Sequence, residues 1–98
     1  MRLSKTKTAR LYKISGHVQG VGFRYFAERA ARSTGIAGYV KNIADGTVEV
    51  YAVGDPAALG TFKRQLEDGP RSAWVEAVEE SEMPINESYK RFFIEGGW

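Results

Sequence analysis

"IAGYVKNIADGTVEVYAV", residues 36–53, decides the fold class, because it holds two strand-like runs separated by a tight turn. The runs IAGYVKN and TVEVYAV read as two strands, and the Asp45-Gly46 pair between them favours a hairpin. What flanks the hairpin then sets the architecture. Upstream, "FRYFAERAARSTG" puts Phe23, Phe26, Ala27, Ala30 and Ala31 on one helical face, with Gly35 placed just past the end. Downstream, Asp55-Pro56 reads as an N-cap followed by proline at the first helical position. Leu59, Phe62 and Leu66 follow at helical spacing, Gly60 weakens the helix, and Gly69-Pro70 stops it.

Working further out, "ARLYKISGHV" predicts a strand before the first helix, "AWVEAVEES" one after the second, and "YKRFFIE" a shorter last strand. The order is strand, helix, strand, strand, helix, strand, with a short extra strand at the end. It predicts an α+β, ferredoxin-like two-layer sandwich: βαββαβ plus the C-terminal strand, with two helices on one face of a mainly antiparallel sheet. Enzymes, RNA binders, metal chaperones and ligand sensors all use that architecture, so function has to be read from a site.

Composition narrows the choice. A chain of 98 residues, 43% of them hydrophobic, supports one compact domain, expected over residues 9–98 behind a flexible basic tail at 1–8. Arg2, Lys5, Lys7 and Arg10 read as a solvated end and not as a nucleic-acid arm. Fourteen basic against 12 acidic residues leave a net charge of +2, which selects neither nucleic acid nor an anionic membrane as a partner. The absence of cysteine removes disulfides, thiol nucleophiles and thiolate zinc sites, and a single histidine, His17, makes a multi-histidine metal site hard to build. No metal ligand and no cofactor is therefore expected. "MRLSKTKTAR" lacks the apolar run of a signal peptide, and no later segment is long enough to span a bilayer, so a cytoplasmic monomer is the expectation. In that setting the Asn86-Glu87-Ser88 sequon is read as chance.

Chemistry enters at "GHVQGVGFR", residues 16–24, between the first strand and the first helix. Free backbone N–H groups and the positive end of the helix dipole meet at such a junction. Gly20 and Gly22 permit positive φ and close approach of a ligand, and Arg24 adds a planar, permanently charged donor fork. Together they describe a cradle for one compact oxyanion. The stretch lacks the Gly-Lys-Ser/Thr ending of a nucleotide P-loop. Tyr25 fills the slot where a dinucleotide fingerprint counted from Gly20 needs its third glycine.

Residues 16–24, together with Gly38-Tyr39-Val40-Lys41-Asn42, Gly46, Val48 and Gly54, resemble the two signature stretches of the acylphosphatase family. The resemblance runs from about residue 9 to the end and takes in Pro70, Ala73, Val75 and Val78. It implies a small metal-free enzyme of ferredoxin-like fold that hydrolyses acyl phosphates, a small-molecule substrate. By the same resemblance, Arg24 matches the phosphate-binding arginine and Asn42 the asparagine that positions the attacking water. The amides of Gln19, Gly20, Val21, Gly22 and Phe23 match the remainder of the phosphate site. Two departures stand out: Tyr39 occupies a position where the family often has Trp or Phe, and the chain ends in Gly96-Gly97-Trp98.

The residues suit this chemistry. The leaving group of an acyl phosphate is already a weakly basic carboxylate, so what remains is to hold the phosphoryl group, offset its charge and aim a water in line. A neutral amide such as Asn42 orients water without adding repulsion. His17 is expected to be a solvated residue dispensable for turnover, and Lys41 to point away from Asn42 by strand alternation. Two rival functions come from other classes. An RNA-binding sheet face would need stacking aromatics and basic residues that the third strand, with Tyr51 and Glu49, does not provide. A phosphate- or carbamoyl-phosphate-binding module of the kind fused to hydrogenase maturation proteins is the other. A chain of 98 residues without zinc-finger or further catalytic domains favours a free-standing enzyme over it.

Overall fold

The computed structural model describes residues 6–96. Seven elements follow one another: β1 (Thr8–His17), α1 (Phe23–Thr34), β2 (Ala37–Asn42), β3 (Val48–Gly54), α2 (Pro56–Asp68), β4 (Trp74–Met83) and β5 (Phe92–Glu95). They form one five-stranded sheet in the order β4-β1-β3-β2-β5. All pairings are antiparallel except β2 with β5, and the expected ferredoxin-like sandwich is the fold observed. Because β1, β2 and β5 run the same way, their C-terminal ends lie at one end of the sheet. Everything proposed for the site is found there.

Period-two alternation divides the sheet into a buried and an open face. Tyr12 and Ile14 of β1, Val40 of β2, and Val48 and Val50 of β3 pack against Phe23, Ala27 and Ala31 of α1 and Leu59, Phe62 and Leu66 of α2. Burying each of the larger apolar side chains contributes about 1.5–3 kcal/mol, so this layer carries most of the stabilisation. Phe62 anchors it, with its ring edge-on to Tyr12 at 6.2 Å and to Phe92 at 5.9 Å. Phe26, expected in the core, is only half-buried, because it sits at the margin of the helix stripe against Phe23. Tyr39, Tyr51 and Tyr89 form a second, smaller cluster on the open face.

The hairpin turn is closed from several directions. Ile43 N–H donates to the Thr47 carbonyl at 2.9 Å and Gly46 N–H to the Ile43 carbonyl at 3.0 Å. Asp45 accepts from the Thr47 hydroxyl at 2.6 Å and from its N–H at 3.0 Å. These two bonds, joined by the nearby Lys13 ammonium, hold the Asp45 carboxyl below the usual carboxylate range.

Two further details differ from the sequence reading. Arg10 is not part of a solvated end: it lies within β1, and its guanidinium donates to Glu80 at 3.0 Å and to the Thr8 hydroxyl at 2.7 Å. Residues 1–5 of the expected tail, and Gly97 and Trp98 at the other terminus, lie outside the described residues. Gly16 also separates from the cradle. The register between β1 and β4 shifts at Ser15/Gly16, Gly16 takes φ 125°, and a Cβ there would collide with the Trp74 carbonyl. This glycine lets two strands approach at a bulge and serves the sheet.

Candidate active site

Residues 18–22 connect β1 to α1 in irregular conformation. Gly20 has φ 76° and Gly22 has φ 81°, and a Cβ on either would meet no atom within 4 Å. Conformation, not space, is therefore what these two glycines supply, since other residues pay roughly 1–2 kcal/mol to enter the left-handed region. Gly22 is also the N-cap of α1. It makes no side-chain capping bond, and the first turn holds no acidic residue. Its backbone thus presents N–H groups and the positive end of the helix dipole toward the loop.

Arg24 follows as the second residue of α1. Its Nη1 donates to the Glu95 carbonyl at 3.3 Å, so the end of β5 steadies the guanidinium. Asn42 is the last residue of β2, on the helix-facing side. At 8% exposure it is the only buried polar or charged residue among the described residues, which sets it apart from a solvated strand end. Gly20, Gly22, Phe23, Arg24 and Asn42 are brought together in one cleft of about 80 Å³. That is a few water volumes, the scale of a single tetrahedral oxyanion. A larger cavity of about 390 Å³, between the end of α1 and residues 85–92, contains none of the predicted site residues. A still larger one, of about 790 Å³ along Phe26, Arg29 and Ser33 of α1 and Gln65 and Asp68 of α2, contains none of them either, so the predicted residues converge at the small cleft and not at the largest.

The remaining predicted residues take other positions. Val21 packs its side chain against the core, and its carbonyl accepts from the Ser72 hydroxyl at 3.1 Å. Gln19 turns its side chain away from the cleft, toward the hairpin: Nε2 donates to the Ile43 and Thr47 carbonyls, both at 2.8 Å. Sequence reasoning missed this bond, because residues so distant along the chain carry no local signal of contact. Only backbone amides of Gln19 and Val21 are left to serve an anion. His17 is exposed, paired in register with Trp74. Lys41 lies on the open face, 5.5 Å over the Tyr39 ring and 3.9 Å from Glu49. Among the described residues no group of three His, Cys, Asp or Glu side chains could hold a metal ion, and no helix is long and apolar enough to cross a membrane.

The acylphosphatase family model matches residues 10–94, which spans both the cradle loop and Asn42. The chain belongs to the acylphosphatase family. A curated acylphosphatase of Koribacter versatilis is 44% identical over 96 residues, covering 98% of this chain and 87% of that one. The crystal structure of acylphosphatase from Bacillus subtilis superposes with a TM-score of 0.85 at 36% identity, covering 93% of this chain and all (100%) of the other. T. kodakarensis HypF contains a similar fold, with a TM-score of 0.79 at 29% identity over 94% of this chain and 12% of that chain. Family and fold together make this an acylphosphatase-type enzyme acting on a small molecule.

Proposed function

We propose that the protein hydrolyses acyl phosphates to a carboxylate and inorganic phosphate, with the phosphoryl group held by the amides of Gln19 to Phe23 and by Arg24. The observation that carries this reading is the convergence of Gly20, Gly22, Arg24 and Asn42, from two separate sequence motifs, on one cleft. Asn42 orients a water opposite the leaving oxygen, and the water attacks phosphorus in line. The P–O bond to the acyl group breaks as the new one forms, and the carboxylate leaves with the bonding pair. The water's proton passes to a phosphate oxygen. Arg24 and the loop amides offset charge on the equatorial oxygens, and the Glu95 carbonyl fixes the direction of the guanidinium. Since the leaving group needs no protonation, neither a general acid nor a metal is called for, and the exposed His17 has no step to perform.

A second reading, a non-catalytic phosphate- or carbamoyl-phosphate-binding module, is favoured by one observation, the similarity to a 12% portion of HypF. Benzoyl phosphate hydrolysis, measured with a chelator present and with Asn42→Ala as control, separates the two. Turnover that survives the chelator and collapses in the variant supports the hydrolase. An inactive protein that inorganic phosphate nevertheless protects from unfolding would leave only the binding module.

A further inference from the structure

Among the described residues, the Gln19 side chain links the loop that would hold the phosphate to the turn that follows the residue placed on the water. Its single NH₂ group donates to both the Ile43 and the Thr47 carbonyls, at 2.8 Å each. Those same carbonyls close the hairpin, accepting from Gly46 N–H and Ile43 N–H respectively. Ile43 is bonded directly to Asn42, so a shift of the turn moves Asn42 with it. We infer that Gln19 is a positioning residue that sets the distance between the anion cradle and Asn42. This rests on the hydrolytic reading of the site.

Three features separate this role from general support of the fold. Both acceptor carbonyls keep a backbone donor when Gln19 is removed, so no buried acceptor is orphaned. The turn keeps its own bonds through Asp45. The loop also keeps its other brace, from Ser72 to the Val21 carbonyl. Removing the link therefore leaves the parts folded and loosens their mutual placement. Misplacement of reacting groups by about 1 Å costs about a hundredfold in rate.

The test uses Gln19→Met, which keeps the length and removes both donors, with Gln19→Asn, one methylene too short to reach, as a second variant. Each is combined with Asn42→Ala, and benzoyl phosphate turnover is measured beside competitive inhibition by inorganic phosphate. Expected is a ten- to hundredfold fall in kcat for the single variants with phosphate inhibition within about threefold of wild type. In the Asn42→Ala background the same substitutions should cost less than about threefold, because the group they position is gone. Equal losses in both backgrounds, or phosphate inhibition weakening in step with kcat, would overturn the inference and make Gln19 part of the cradle or of the fold. A fully active Asn42→Ala would instead remove the hydrolytic reading and this inference with it.

Discussion

The two helices of this protein begin in opposite ways. α2 opens on Asp55, in extended conformation, whose carboxylate accepts from Ala58 N–H at 2.9 Å, followed by Pro56, which has no N–H to satisfy. α1 opens on Gly22 in the left-handed region, without a side-chain cap. The first arrangement closes a helix end as tightly as side chains allow, and the second leaves donors facing a loop. The end that a side chain would ordinarily cap is left open, and Arg24 and Asn42 stand at that end alone. Burial follows the same division, since Asn42 is buried beside α1 whereas the first turn of α2 lies largely at the surface.

The contrast breaks most sharply at Arg24. Arg24→Ala should lower kcat/KM for an acyl phosphate at least a hundredfold, the scale of losing a preorganised charge-stabilising donor, while the melting temperature changes little. Near-normal turnover would mean that the open helix end has no part in catalysis. Next comes Gly22→Ala, expected to destabilise by about 1–2 kcal/mol in urea unfolding because it forces a Cβ into φ 81°. It should also weaken protection by inorganic phosphate. Since the new methyl meets no atom, an unchanged midpoint would show that the left-handed cap is not required.

At the other helix, Asp55→Ala should cost about 1 kcal/mol and leave kcat/KM unchanged. A loss of activity comparable to that of Arg24→Ala would erase the distinction between the two ends. The smallest effect concerns how α2 is tied to the sheet. Lys63 donates to Glu80 at 2.8 Å, and that bond first, then the charges of Lys63 and Arg10, hold the Glu80 carboxyl below its ordinary value of 4.5. A carboxyl lowered by folding stabilises fully above its ordinary pKa, and the contribution fades as pH falls through the lower folded value. The pair is partly exposed, so Glu80→Gln should flatten the acid limb of a stability–pH curve by no more than about 1 kcal/mol. An unaltered curve would mean that α2 owes nothing to this tie.

Much of this was legible in the sequence because it is local. Asp45-Gly46, Asp55-Pro56 and Gly35 mark boundaries through their own backbone preferences, and all three occur where the sequence placed them. The left-handed turns of the loop before α1 were legible for the same reason, in Gly20 and Gly22. What escaped was set by partners far along the chain. The role of Gly16 depends on the Trp74 carbonyl, the place of Arg10 in β1 on Glu80, and the reach of Gln19 on a turn formed by residues 43–47. None of these leaves a periodicity or a local motif to read.

The strand order has a consequence in time. β1, made first, lies between β3 and β4, and its residues Arg10 and Tyr12 pair with Glu82 and Glu80 near the far end of the chain. The β2–β3 hairpin can close as soon as it exists, but the strand that carries the cradle gains its second neighbour only when nearly the whole chain is available. Non-local pairings of this kind slow folding, because the entropy of closing the long loop is spent before the contacts form. The sheet is thus complete only once β4 joins it, and the loop of residues 18–22 hangs from the end of the strand that waits for that partner.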